Sequence, residues 1–156
     1  MVLTIQAQAA DVAVSSEAII RKAFQDQVHI RKVEGKQELS VCWDTCQTFI
    51  FPVRQKTSVV WDFAILFEYF FGLGSEGEPN AEIGHHVDLL VRLANDYAPK
   101  CGQNVDSSRA QCVLANMSAR YSIKVADVVS DEGETCTGYR DRNALDQRAK
   151  AFKCKK

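Results

Sequence analysis

Net charge, proline and long apolar stretches are all in short supply in this chain, and each shortage closes off a class of protein. A formal net charge of −1 over 156 residues leaves no overall field to hold the molecule on nucleic acid. Three prolines and no low-complexity tract fit a globular composition rather than a disordered or fibrous one. The most apolar run, Val59 to Phe71, is too short for a membrane span and contains Asp62 and Glu68. No segment alternates well enough to predict a sheet, apart from a weak alternation from Thr48 to Val53 that leaves a short strand near Pro52 as a minority reading. There is no G-x-S-x-G and no other recognisable catalytic motif, so no enzyme activity and no cofactor is expected.

Cysteine is what the chain does have. Cys42, Cys46, Cys101, Cys112, Cys136 and Cys154 make an even set, which in a small chain argues for disulfides and an oxidising compartment, periplasmic or secreted. The N-terminus points the same way. Val2-Leu3-Thr4-Ile5 is apolar, and Ala7-Gln8-Ala9-Ala10 resembles a small-residue cleavage site, although a basic start is missing. Residues 1–10 are therefore expected to be a signal remnant or disordered leader, and 11–156 a single helical domain. A chain of this length, 46% hydrophobic, can bury a core without the bridges.

Helical spacing dominates the remainder. Asp11 or Ser16 is expected to cap a first helix ending at Gly35. Leu39, Cys42, Trp43, Cys46, Phe49, Ile50 and Val53 fall on one face of a second helix. Thr57 or Ser58 should cap the Val59–Phe71 run, a central buried helix. The loop 72–78 and Pro79 then lead to a helix with Ile83, Val87, Leu90, Ala94 and Tyr97 inward. Asp106, Ser107 or Ser108 opens another, with Ala110, Val113, Leu114, Met117, Tyr121, Val125 and Val128 inward, and a last helix covers Tyr139 to Phe152. The fold expected from this pattern is an all-α, single-domain bundle of five to six helices, stapled by disulfides.

Each candidate site has a plainer reading beside it. Cysteines at i and i+4 on a helix rarely bond each other, so Cys42 and Cys46 are expected to pair with Cys136 and Cys154, while Cys101 and Cys112 staple a helical hairpin. A zinc site from Cys42, Cys46, His85 and His86, with Glu82 nearby, suffers because adjacent histidines on a helix diverge by about 100°; no metal is expected. Gly72-Leu73-Gly74-Ser75-Glu76-Gly77 matches G-x-G-x-x-G without the flanking strands that a dinucleotide site needs. Asp62 and Glu68 lie six residues apart, on different helix faces, which suits solvent-facing or capping positions better than a catalytic pair. Asp131, Glu132 and Glu134 lack the ligand spacing of a calcium loop. Charge is uneven: Asp62 to Asp96 holds seven acidic residues and one basic, Arg140 to Lys156 seven basic and two acidic.

Cys42-x3-Cys46 and the gaps to Cys101 and Cys112 are similar in part to the cysteine spacing of insect odorant-binding proteins. The pattern departs where no cysteine precedes Cys42 and where Cys112 and Cys136 stand far apart. The resemblance implies, as an alternative, a helical carrier whose cavity for a small lipophilic ligand is lined by Trp61, Phe67, Phe70 and Phe71. The leading expectation is a protein-binding protein, such as an inhibitor or immunity protein guarding against a secreted toxin or enzyme. Its partner-binding residues would be Glu76, Glu78 and Glu82.

Overall fold

The computed structural model describes residues 14–42, 46–71, 80–126, 128–129, 135–137 and 153–155, the last three short segments as backbone only. The expected leader 1–10, the G-x-G-x-x-G loop, Asp131, Glu132, Glu134 and the helix expected from Tyr139 to Phe152 lie outside the described residues.

The first element among the described residues is α1 (Ser16–Phe24), capped by Ser15, whose side chain accepts from the Ala18 N–H at 3.0 Å. The expected helix to Gly35 stops at Phe24, and β1 (Val28–Val33) follows. Glu34 and Gly35 then form a two-residue turn, since Val33 pairs with Lys36. Gly35, at the second central position, has φ 78° while Glu34 has a negative φ, the left-handed second residue that a type II turn requires and that glycine adopts without strain.

The predicted second helix is absent. In its place β2 (Lys36–Cys42) and β3 (Cys46–Pro52) form an antiparallel hairpin in which Leu39 faces Phe49 and Cys42 faces Cys46. The all-α assignment is thereby overturned: the protein is α+β, with a four-stranded antiparallel sheet in the order β1-β2-β3-β4. The buried positions are Gln37, Leu39 and Val41 on β2 and Gln47, Phe49 and Phe51 on β3, a strict period of two. Two of those six are glutamines, which hid the alternation from a hydrophobicity reading. Gln37 tolerates burial because its Nε2 donates to the Gln55 carbonyl at 2.6 Å and its Oε1 accepts from Thr57 at 3.4 Å. The outer sheet face is polar, with Ser40 and Thr48 hydroxyls 3.1 Å apart and Arg31 donating to Glu38 at 2.9 Å. That hydrogen bond is the chief cause holding the Glu38 carboxyl below its ordinary range.

Helices cover the inner face. α2 (Thr57–Phe71) is apolar on nearly every side and central, packed between the sheet, α1 and α5. Phe63 meets Phe49 and Phe51 edge-on, at ring-centroid separations of 4.9 and 5.5 Å. After the loop, α3 (Ala81–Gly84) is capped by Asn80, and α4 (Val87–Tyr97) follows a break at His85 and His86. That break rotates the stripe: Val87 is 48% exposed, and Leu89, Leu90, Leu93 and Ala94 turn inward. Pro99 opens a short 3-10 turn to Cys101.

α5 (Ser107–Arg120) is capped by Asp106, whose carboxylate accepts from the Arg109 N–H at 2.8 Å. Gly102 lies against this cap at φ 87°, and a Cβ there would stand 2.9 Å from Arg109 Nε. Beyond α5 the chain turns through Ser122, at φ 57°, with the Ile123 N–H bonded to the Ser118 carbonyl. The turn delivers β4 (Lys124–Val125) to the free edge of β3, so Val125 ends beside Phe49 in the sheet instead of on a helix. A second small antiparallel sheet joins β5 (Val128–Val129), β6 (Thr135–Thr137) and β7 (Lys153–Lys155).

Cys101 and Cys112 lie at disulfide distance, Cα atoms 5.8 Å apart, joining the 3-10 turn to α5. Cys42 and Cys46 also lie at disulfide distance, with Cα atoms 3.9 Å apart. Their expected pairing with the C-terminal cysteines fails for the same reason as the helix: on adjacent strands they are direct neighbours. The two pairs are compatible with an oxidising extracellular compartment.

Candidate functional site

The N-terminus of α1 organises the most elaborate polar cluster among the described residues. Ser15 faces outward as the cap and Ser16 turns inward, because consecutive helical residues point about 100° apart. Ser16 Oγ donates to Asp62 Oδ1 at 2.6 Å, and the Tyr97 hydroxyl donates to Asp62 Oδ2 at 2.6 Å. One carboxylate thus ties α1, α2 and α4 together. Asp62 is half-buried in the middle of this bonded cluster and is not a helix cap.

Ser16 and Asp62 line a cleft of about 440 Å³ at the starts of α1 and α2, together with Arg92 of α4. Thr57, Ser58 and Trp61 line its α2 side. Trp61 is buried, with the Arg21 guanidinium 5.0 Å from its ring centroid and Glu17 bonded to Arg21 at 2.8 Å. Glu68, considered beside Asp62 in the sequence, is buried at 1% exposure and does not line this cleft. The two carboxylates therefore do not share a site.

Tyr97 remains a donor over a wide pH range. Burial first, and then its hydrogen bond to Asp62, push its hydroxyl far above the ordinary tyrosine value. Tyr69 is raised too, by burial and then by the Asp106 charge. A folded-state value above the unfolded one contributes stability below pH about 10 that is lost as pH rises beyond it. The urea midpoint of the wild-type protein is therefore expected to fall above about pH 10. Tyr97→Phe should flatten that fall; an unchanged alkaline slope in this variant would show that Tyr97 titrates normally.

A second groove, of about 470 Å³, runs along the other side of α1. It is lined by Val14, Ala18, Ile19, Lys22 and Ala23 from the α1 side and by Glu82, His85 and His86. Glu82 is exposed on α3, where the Asn80 carboxamide accepts from its N–H at 2.9 Å. Glu76 and Glu78, its expected companions in partner binding, lie outside the described residues. His85 and His86 line this groove, while Cys42 and Cys46 are paired with each other on the sheet, so the four side chains weighed for zinc are not one cluster. Among the described residues no three metal-ligating side chains converge, and no helix is long and apolar enough to cross a membrane.

Three of the residues expected to line a lipophilic cavity, Trp61, Phe67 and Phe70, belong to the core cluster. Phe67 lies edge-on to Phe49 at 4.9 Å, and Trp61, Phe67 and Phe70 are each buried. The side chain of Phe71 lies outside the described residues. Sequence reasoning missed Ser16, Tyr97 and Arg92 as site residues. The available signal was Asp62 itself, a lone carboxylate in the first half of an apolar helix that needs donors from elsewhere.

The chain matches no protein-family model, no curated protein and no solved structure.

Proposed function

We propose that this is an exported binding protein, docking onto another protein in the periplasm or outside the cell, as an inhibitor or immunity protein guarding against a secreted toxin does. The two cysteine pairs at disulfide distance support the export part of the reading. The observation that carries the binding part is the groove beside α1, where the apolar Val14, Ala18, Ile19 and Ala23 are grouped with Lys22, Glu82, His85 and His86. Apolar side chains grouped with polar and charged ones are the composition of a protein interface. A volume of about 470 Å³ is enough to take anchoring side chains from a partner. Glu82 would attract a basic partner side chain to that groove.

The test is a pull-down from a secretion-competent host with the oxidised protein as bait, followed by calorimetry on the partner recovered. Glu82→Lys is expected to weaken that complex by about tenfold or more. Affinity unchanged by Glu82→Lys would place the contact elsewhere. Recovery of a small lipophilic molecule by native mass spectrometry, with no protein partner, would overturn the reading in favour of the carrier.

A further inference from the structure

We propose that Cys136 and Cys154 form a third disulfide, so that each cysteine of the chain bonds its nearest neighbour in sequence: 42 with 46, 101 with 112, and 136 with 154. The argument rests on backbone register. In the small sheet Cys136 is directly opposite Cys154, and the flanking pairs Thr135–Lys155 and Thr137–Lys153 fix that register on both sides. Directly opposed residues of an antiparallel pair have Cα atoms about 4.5–5.5 Å apart and Cβ atoms on one face. That separation falls within the range a disulfide bridges. The same molecule supplies a precedent, since Cys42 and Cys46 are also directly opposed on antiparallel strands and lie at disulfide distance. With Cys101 and Cys112 paired as well, Cys136 and Cys154 are left for each other.

The bond forms by oxidation of two thiols. The chain gives up two protons and two electrons, and the oxidant is a disulfide of the exporting compartment, protein or glutathione, which is reduced to its dithiol or two thiols. One thiolate attacks the oxidant to give a mixed disulfide, and the second displaces it. Sequential pairing has a consequence for maturation. Each bridge closes with cysteines already present on the emerging chain, so a thiol oxidase acting in order of appearance makes the native set without an isomerase. The third ring encloses Arg140, Arg142, Arg148, Lys150 and Lys153, and ties this basic stretch to the C-terminal strand.

Tryptic peptide mapping of the full chain decides the matter. Reduced protein is oxidised in a glutathione buffer, free thiols are alkylated, and the digest is kept unreduced and acidic. The expected products are peptide 37–54 with an internal bridge, peptide 101–109 linked to 110–120, and peptide 125–140 linked to the dipeptide Cys154-Lys155. Alkylated Cys136 or Cys154, or a link from either to peptide 37–54, would overturn the pairing. In Cys154→Ser, Cys136 should become the one alkylated cysteine; a Cys136 that stays blocked would also overturn it. The oxidation in the cell rests on the export reading, and the two fail separately. Reduced thiols in secreted material with the expected map after oxidation in the tube would remove the compartment and keep the pairing.

Discussion

Phe51→Ala is expected to cost about 3–5 kcal/mol of unfolding free energy, while Ile50→Ala, one residue earlier, costs less than about half as much. Phe51 is fully buried, facing Gln37 across the hairpin and meeting Phe63 edge-on. Ile50 is on the opposite face, between Glu38 and Lys124, and is only half-buried. Strand geometry makes neighbours differ in this way, because successive side chains leave opposite faces. A helix through this segment would instead bury Ile50 with Phe49 and leave Phe51 turned away. Urea denaturation of the two variants, followed by far-UV circular dichroism, checks the order. Equal losses, or a larger loss for Ile50→Ala, would sink the sheet assignment for residues 46–52.

Asp62→Ala should be the most damaging change among the described polar residues, lowering stability by about 3 kcal/mol. Two hydrogen bonds to a charged acceptor are removed, each worth roughly 1.5–3 kcal/mol, less what water recovers in the adjoining cleft. Ser16 Oγ and the Tyr97 hydroxyl lose their partner at the same time. Because all three groups act as one unit, the losses should not add: Tyr97→Phe in an Asp62→Ala background is expected to cost much less than Tyr97→Phe alone. A double-mutant cycle from urea midpoints measures this coupling. Strict additivity, or a loss for Asp62→Ala below about 0.5 kcal/mol, typical of a surface site, would show that Asp62 does not hold the three helices together.

The helical half of the molecule was legible because its signals are local. The apolar run after Thr57, a cap for the next helix among Asp106, Ser107 and Ser108, and the stripe Ala110, Val113, Leu114 and Met117 all follow from local signals, and the structure contains that run as a helix, Asp106 as the cap and the stripe buried. The sheet was misread for equally particular reasons. Gln37 and Gln47 occupy two core positions, so a hydrophobic pattern of period two is broken on both strands. Meanwhile Leu39, Cys42, Cys46, Phe49 and Val53 happen to fall at helical intervals. Gln37 is acceptable inside because Gln55 and Thr57, from the following loop and helix, satisfy its amide, and neither partner is visible in the strand itself. The candidate clefts were less legible still. Asp62 stood out, but Ser16, Tyr97 and Arg92 come from elements 46, 35 and 30 residues away, and no local pattern links them.

Local spacing and composition alone determined the central apolar helix, the capped α5, the even cysteine count and the absence of an overall charge field. These are properties of neighbouring residues and of sums over the chain. Tertiary structure decided that 28–33, 36–42 and 46–52 are strands of one sheet, that Cys42 and Cys46 face each other at disulfide distance, and that Asp62 is a tie between helices. The physical reason is shared: strand pairing, bridge partners and the burial of a polar side chain are each fixed by groups remote in sequence, which become neighbours only when the helices close over the sheet.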